Sequence, residues 1–202
     1  MAVSYPLSLP ATPLFASARF SLSANTTVFT SPLSGVESVL ERPGAKWAAE
    51  FTLPAMLRAQ AAAWTAFFAS LRGRRGTFYG YDPAATTPRG IATGTPLVKG
   101  ASQTGNALAT DGWTTSQTGI LLAGDYIGVN SRLHMVVEAA NSDGSGNATL
   151  AIEPALRESP ADNAAITVSA PMVSMRLASA LVGWDVDTAL FYGFSFAAIE
   201  AL

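Results

Sequence analysis

Short segments in which hydrophobic and polar residues alternate follow one another along most of this chain. The clearest lies within residues 120–157, where Leu133, Met135 and Val137 alternate with more polar neighbours. A period of two is typical of a β-strand with one buried face. The loop at residues 141–147 that follows is rich in the Gly, Asn and Asp that turns favour.

Leu150 and Ile152, beyond this loop, alternate in the same way. If Met135 lies opposite Ile152, the two strands share one continuous apolar face. The same register sets Val137 opposite Leu150. The pattern therefore predicts a β-module whose role is to present a contact surface.

Only one segment has the helical period. Apolar residues recur there at i, i+4, i+7, i+11 and i+14, namely Leu57, Ala61, Trp64, Phe68 and Leu71. Pro54 suits the first helical position and Gly73 suits the residue just past the end. We predict one packed α-helix over about residues 54–72.

Strand and turn patterns predict the arrangement around this helix. The first fifteen residues are punctuated by proline and favour an extended arm. Residues 37–40 and 46–53 resemble a pair of strands around the turn Arg42-Pro43-Gly44. We expect a mainly β protein in which residues 1–88 plus 172–202 form a β-rich barrel or sandwich domain with the helix. Residues 89–171 then form an inserted second β-barrel or sandwich module.

Composition narrows the class of protein. The chain has 202 residues, of which 49% are hydrophobic and only 13% charged, so we expect part of its surface to be buried against other chains. A net charge of −2 argues against a sequence-specific nucleic-acid binder. The absence of cysteine excludes disulfides and thiolate zinc sites.

The start of the chain predicts neither export nor membrane insertion. It has no basic region, and prolines interrupt its apolar stretch, so we expect no signal peptide. No run approaches the roughly 18 apolar residues of a membrane helix. We expect a soluble protein made in the cytoplasm.

Catalytic and ligand-binding patterns are weak throughout. No G-x-S-x-G pentapeptide occurs, and the single histidine, His134, lies within a predicted strand. In the register above, His134 faces Glu153 on the outward face, as an ordinary cross-strand pair or a pH-responsive one. The loop 141–147 mimics the opening of a calcium loop, but Ile152 stands where a glutamate is required. The segment 94–100 resembles a phosphate loop only loosely.

Several other side chains leave alternatives open. The basic run at residues 72–76 suits a helix C-terminus or a charged contact with a partner. Trp113 and Trp184 lie in polar turns and suit either a core or a sugar-stacking platform. Paired carboxylates for glycoside hydrolysis would come from a dispersed set in which no pair stands out: Glu138, Glu153, Asp125 and Asp143. We predict no catalytic, cofactor-binding or metal-binding residue, and no enzyme.

Three segments carry a resemblance to a known family. Residues 64–78 combine a tryptophan helix, an arginine-glycine turn and an aromatic strand. Residues 123–157 have a sequence pattern that resembles phage tail proteins. Residues 194–202 form a predicted aromatic strand that ends near an acidic residue. With these segments the chain resembles the distal tail proteins of siphophage-type bacteriophages and the tail-tip proteins of related prophages and gene transfer agents.

The resemblance implies a structural role in the virion. Such proteins form an oligomeric ring, usually hexameric, that connects the tail tube protein to the baseplate hub protein. It implies a ring-forming domain at residues 1–88 plus 172–202, with the inserted module facing outward. We expect synthesis in the host cytoplasm, no cofactor and no membrane insertion, and we keep a host-surface glycan as an alternative partner. The alternatives are a carbohydrate- or receptor-binding β-module and, more remotely, a hydrolase that uses dispersed carboxylates.

Overall fold

The structure is a computed structural model that describes residues 3–201. Strands hold 40% of the chain and a helix 7%, which confirms a mainly β fold with one helix. The helix is α1 (Arg58–Leu71). The strands are β1 (Ser17–Ser23), β2 (Thr26–Thr30), β3 (Glu37–Glu41), β4 (Lys46–Thr52), β5 (Phe78–Gly80), β6 (Gly94–Val98), β7 (Gly105–Trp113), β8 (Tyr126–Val129), β9 (Arg132–Val136), β10 (Ala148–Leu156), β11 (Val173–Leu177), β12 (Asp185–Val186), β13 (Tyr192–Gly193) and β14 (Ser195–Glu200).

The first sheet joins the two ends of the chain and carries the helix. Its five strands run in the order β1-β4-β14-β11-β5, with every neighbouring pair antiparallel. The helix buries Ala61, Trp64, Phe67, Phe68 and Leu71, which is the predicted stripe without Leu57 and with Phe67 added. These side chains pack with aromatic residues of the sheet into one core. Burial of each large apolar side chain contributes roughly 2–3 kcal/mol, so this core stabilises the domain strongly.

The helix begins at Arg58, not at Pro54 as the sequence indicated. Residues 53–56 are held beside another strand instead, because the Leu53 N–H donates to the Phe194 carbonyl and Met56 exchanges two backbone hydrogen bonds with Tyr192. Leu57 is therefore extended and exposed. At the other end Arg72 adopts a left-handed conformation at φ 51°, a common way to end a helix.

The N-terminal arm lies along the outer edge of this sheet. Leu7 forms a parallel bridge with Phe78, and the Tyr5 hydroxyl donates to the Ser70 carbonyl at 2.6 Å. Further along, the Phe15 ring stacks on Phe51 with centroids 4.4 Å apart. The arm thus covers a strand edge that would otherwise be open to pairing with another chain.

The second sheet is closed into a barrel by a short segment. Its strands run in the order β6-β7-β10-β9-β8, and residues 163–167 join the two outer strands. Leu97 of β6 bridges Ala165, and Gly128 of β8 bridges Thr167. Residues 165 and 167 therefore contribute isolated bridges and not a regular strand. Whether the two sheets behave as separate domains stays a prediction.

The predicted register between β9 and β10 is wrong by one residue. Ile152 lies opposite Val136, and Glu153 lies opposite Met135. The error arises because both faces of β9 are covered: Leu133 packs into the core of the first sheet, whereas Val136 packs into the barrel core. A strand buried on both faces carries no alternation that could set its register. Val137, expected inside, is exposed.

A polar cluster joins the barrel to the first sheet. Glu200 at the end of β14 is 3% exposed and accepts a hydrogen bond from the Trp47 N–H at 3.1 Å. Arg132 and Arg157 of the barrel approach its two oxygens at 3.3 and 3.6 Å. The Trp47 indole N–H also donates to the Leu133 carbonyl at 2.8 Å. The two sheets therefore meet through charge-assisted contacts as well as apolar packing.

Candidate assembly surface

An exposed hairpin projects from the first sheet. β2 pairs with β3 along their whole length, from Thr26 opposite Glu41 to Thr30 opposite Glu37. We expected β3 to pair with β4 around the Pro43-Gly44 turn, and this is wrong. The Arg42 N–H donates to the Asn25 carbonyl and the Asn25 side chain donates to the Pro43 carbonyl. These bonds make residues 42–45 the closed base of the β2–β3 hairpin.

The hairpin carries apolar side chains on both faces. Val28 lies directly opposite Val39 on one face, and Phe29 and Leu40 lie on the other. All four are exposed, and Leu33 at the turn is 97% exposed. A lone two-stranded hairpin in water is only marginally stable. We call residues 26–41 the hairpin surface.

A second apolar segment lies in the connection between β11 and β14. Leu181 is 84% exposed and Leu190 is 69% exposed, and three further large apolar residues between them are also open to solvent: Trp184, Val186 and Phe191. The small pair of β12 and β13 holds this connection in shape. We call residues 181–191 the loop surface.

Exposed apolar side chains are concentrated in these two places. The described residues hold 17 large exposed apolar side chains, of which six belong to the hairpin surface and five to the loop surface. Scattered exposed apolar residues are normal, whereas clusters mark interaction sites. The structure therefore has two candidate interaction surfaces.

The basic run lies beside the loop surface. A Cβ on Gly73 would meet the Ala180 carbonyl oxygen at 3.1 Å, so the run touches the residue that precedes Leu181. Arg72, Arg74 and Arg75 are exposed. Arg72 ends the helix through its backbone N–H, which donates to the Ala69 carbonyl, and this contact does not involve its charge.

His134 is buried and does not face Glu153. Its ring is 2% exposed, and Nδ1 lies 2.7 Å from the Pro154 carbonyl oxygen. Burial lowers the pKa of His134, with smaller contributions from Arg132 and Arg157 in the same direction. The Pro154 carbonyl and Glu200 act in the opposite direction without reversing it. The predicted outward cross-strand pair is therefore wrong, because the one-residue register shift turns His134 inward.

The histidine makes stability depend on pH with a definite sign. Because its folded-state pKa lies below the ordinary value of about 6.5, the unfolded chain binds the proton more readily. The stability that the neutral His134 contributes is fully present above pH 6.5, and it is lost progressively as the pH falls below that value. We expect the one imidazole resonance in the NMR spectrum to titrate below pH 6.5, and the melting temperature of His134→Gln to fall less on acidification than that of the wild type. An imidazole midpoint at or above pH 6.5 would contradict the burial of this ring.

The dispersed carboxylates have separate structural roles. Asp125 is buried and accepts backbone hydrogen bonds from Arg89, Gly90 and Leu122 at 2.8–3.0 Å, which fixes the entry into the barrel. Glu153 accepts from the Asn106 side chain at 2.7 Å.

The calcium-like loop is held by its own aspartate. Asp143 accepts from the Ser145 and Asn147 N–H groups and from the Asn147 side chain, each at 2.8 Å. These bonds, led by the Asn147 side chain, lower the pKa of Asp143. Glu138 is exposed in the same connection. Within residues 3–201, no three His, Asp or Glu side chains converge as metal ligands.

The two candidate stacking tryptophans differ. Trp113 is 4% exposed, and its indole N–H donates to the Thr110 hydroxyl at 2.8 Å, so the sugar-platform interpretation is wrong for this residue. Trp184 is about half exposed within the loop surface. The phosphate-like segment forms strand β6, and the Lys99 ammonium donates to the Asn147 side chain.

A groove of about 670 Å³ lies at the base of the hairpin, between residues 41–45 and β10. Glu41, Arg42, Glu153 and Arg157 line it together with Pro43 and Pro154. Arg157 donates across it to the Ala45 carbonyl. The groove thus lies where the hairpin base is tied to the barrel.

Comparisons with protein-family models and with curated proteins assign no family to this chain. No protein-family model matches the chain, and no curated protein matches it. No helix in the described part of the chain has both the length and the apolar character to cross a membrane.

Proposed function

We propose that this protein is a structural component of a phage tail tip, where copies of the chain form a ring that connects the tail tube to the baseplate hub. The hairpin surface carries the proposal: a two-stranded hairpin with exposed apolar residues on both faces gains stability only when another surface covers it. The sequence resemblance to distal tail proteins supplies the biological setting. Six copies per ring is the stoichiometry that the resemblance implies.

The rest of the fold suits a mechanical role. The arm covers one edge of the first sheet and residues 163–167 bridge the outer strands of the barrel, so neither of these edges is open to pairing with another chain. The buried junction around Glu200 ties the barrel to the first sheet. In the proposed ring the subunits keep a lumen open for passing DNA without sequence-specific contact. The tail tube protein and the baseplate hub protein are the expected neighbours along the axis.

The proposal predicts that one charge in the hairpin prevents assembly. Phe29→Asp puts a carboxylate on an apolar face that an assembled neighbour would bury, and an unpaired buried charge is strongly unfavourable. We expect the wild type to sediment as an oligomer in analytical ultracentrifugation and Phe29→Asp to sediment as a monomer.

Val137→Asp is the matched control. Val137 is an exposed apolar residue of the barrel, 41% open to solvent and outside both candidate surfaces. We expect this variant to assemble like the wild type. Equal oligomerisation of Phe29→Asp and Val137→Asp would contradict a role of the hairpin in assembly.

A further inference from the structure

We infer that the hairpin surface of one copy docks on the loop surface of the next copy, with the hairpin glutamates beside the basic run Arg72, Arg74 and Arg75. The inference rests on the proposed self-assembly and names the surface that receives the hairpin. It makes the contact heterologous, meaning that two different patches of the same chain meet.

The first argument is the position of the two surfaces. The hairpin leaves the first sheet where Ser23 pairs with Lys46, at the start of β4. The chain returns from the loop surface to the same sheet at Ser195, which pairs with Thr52 at the end of β4. β4 has seven residues, so the two surfaces leave the sheet about 20 Å apart, at opposite ends.

Opposite ends have a consequence for symmetry. A twofold dimer uses the same patch on both subunits, whereas two different patches join subunits head to tail. Head-to-tail contacts close into a ring when the rotation between neighbours allows it. Two different apolar surfaces at opposite ends of one sheet therefore suit a subunit that joins its neighbours head to tail.

The second argument is charge. The hairpin, with its turn, contains Glu37 and Glu41 and no Lys or Arg. The basic run next to the loop surface contributes three arginines, none of which forms an ion pair within residues 3–201. Complementary charge at the rim of an apolar contact steers association and fixes its register.

The loop surface has two acidic residues of its own. Asp187 is occupied locally, because its side chain accepts a hydrogen bond from the Phe191 N–H at 2.8 Å. Asp185 belongs to the small strand β12. The basic run outnumbers these carboxylates, so the acidic hairpin is favoured as the partner.

A complementation experiment with the full chain tests this arrangement. The hairpin variant is Phe29→Asp with Leu33→Asp, and the loop variant is Leu181→Asp with Leu190→Asp; all four positions are exposed, so both variants should keep the fold. We expect each variant alone to be a monomer of about 20.9 kDa by mass photometry. An equimolar mixture should give a one-to-one complex of twice that mass and nothing larger, because only one intact contact remains.

Each alternative result overturns a defined part of the account. A loop variant that assembles alone like the wild type would overturn the inference and leave the proposed function in place. A wild type that stays monomeric would contradict the proposed function and the inference with it. Circular dichroism and thermal melting of both variants separate a lost contact from a lost fold.

A charge exchange tests the second argument. Glu37→Arg and Arg74→Glu should each weaken association by roughly two- to fivefold, the effect expected of an exposed ion pair. Combining both changes in one chain should restore the affinity. A combined variant that associates no better than either single variant would contradict the assigned contact.

Discussion

Replacing Trp64 by alanine should lower the free energy of unfolding by about 3–5 kcal/mol, the usual cost of truncating a buried aromatic residue. Trp64 is 1% exposed, and its ring lies 5.8–6.2 Å from the rings of Phe15, Phe67, Phe68 and Phe196. The change would remove the side chain that joins the helix, the arm and β14. The cost comes from packing, since the indole N–H has no hydrogen-bond partner in the described structure.

Leu57→Ala provides the matched control for this experiment. Leu57 belongs to the same apolar stripe in the sequence, but it precedes the helix and is 55% exposed. Denaturant unfolding should show a change within about 0.5 kcal/mol for Leu57→Ala. Comparable losses in the two variants would mean that the helix packs through a different face.

Glu200→Ala should cost about 3–5 kcal/mol, because it leaves two arginines without their shared buried carboxylate. The side chains of Arg132 and Arg157 are only 24% and 17% exposed, so water compensates them poorly. The Trp47 N–H loses its acceptor as well. A single substitution at Glu200 should therefore destabilise both the first sheet and the barrel.

Glu158→Ala separates this junction from a general charge effect. Glu158 also approaches Arg132, at 4.0 Å, but its side chain is 81% exposed. Exposed ion pairs contribute about 0–1 kcal/mol, so we expect this variant to unfold almost like the wild type. If Glu200→Ala were equally mild, the buried cluster would not hold the two sheets together.

The sequence correctly predicts an element when only one of its faces is buried. The helix stripe stands out because one face packs on the sheet, and Trp64, Phe68 and Leu71 are all buried as expected. The helix starts later than the sequence predicts, because hydrogen bonds to Tyr192 and Phe194, which are remote in sequence, hold residues 53–56 extended. The helix propensity of residues 53–56 does not depend on such a distant partner, so it cannot predict this hydrogen bonding.

The sequence pattern does not predict the pairing of strands whose two faces are equally buried or equally exposed. β9 is covered on both faces, so the sequence predicts its register one residue away from the observed one and expects the buried His134 outside. The β2–β3 hairpin is exposed on both faces, so the sequence does not predict its pairing. Only the fold shows that no other part of residues 3–201 covers its apolar side chains.

Mass measurement of the purified wild-type chain, combined with negative-stain imaging over a range of concentrations, tests self-assembly most directly. We predict particles with a central hole and a mass that is an integral multiple of 20.9 kDa, with six copies as the expected number. A mass of one chain at every concentration, with no ring in the images, would contradict the proposal.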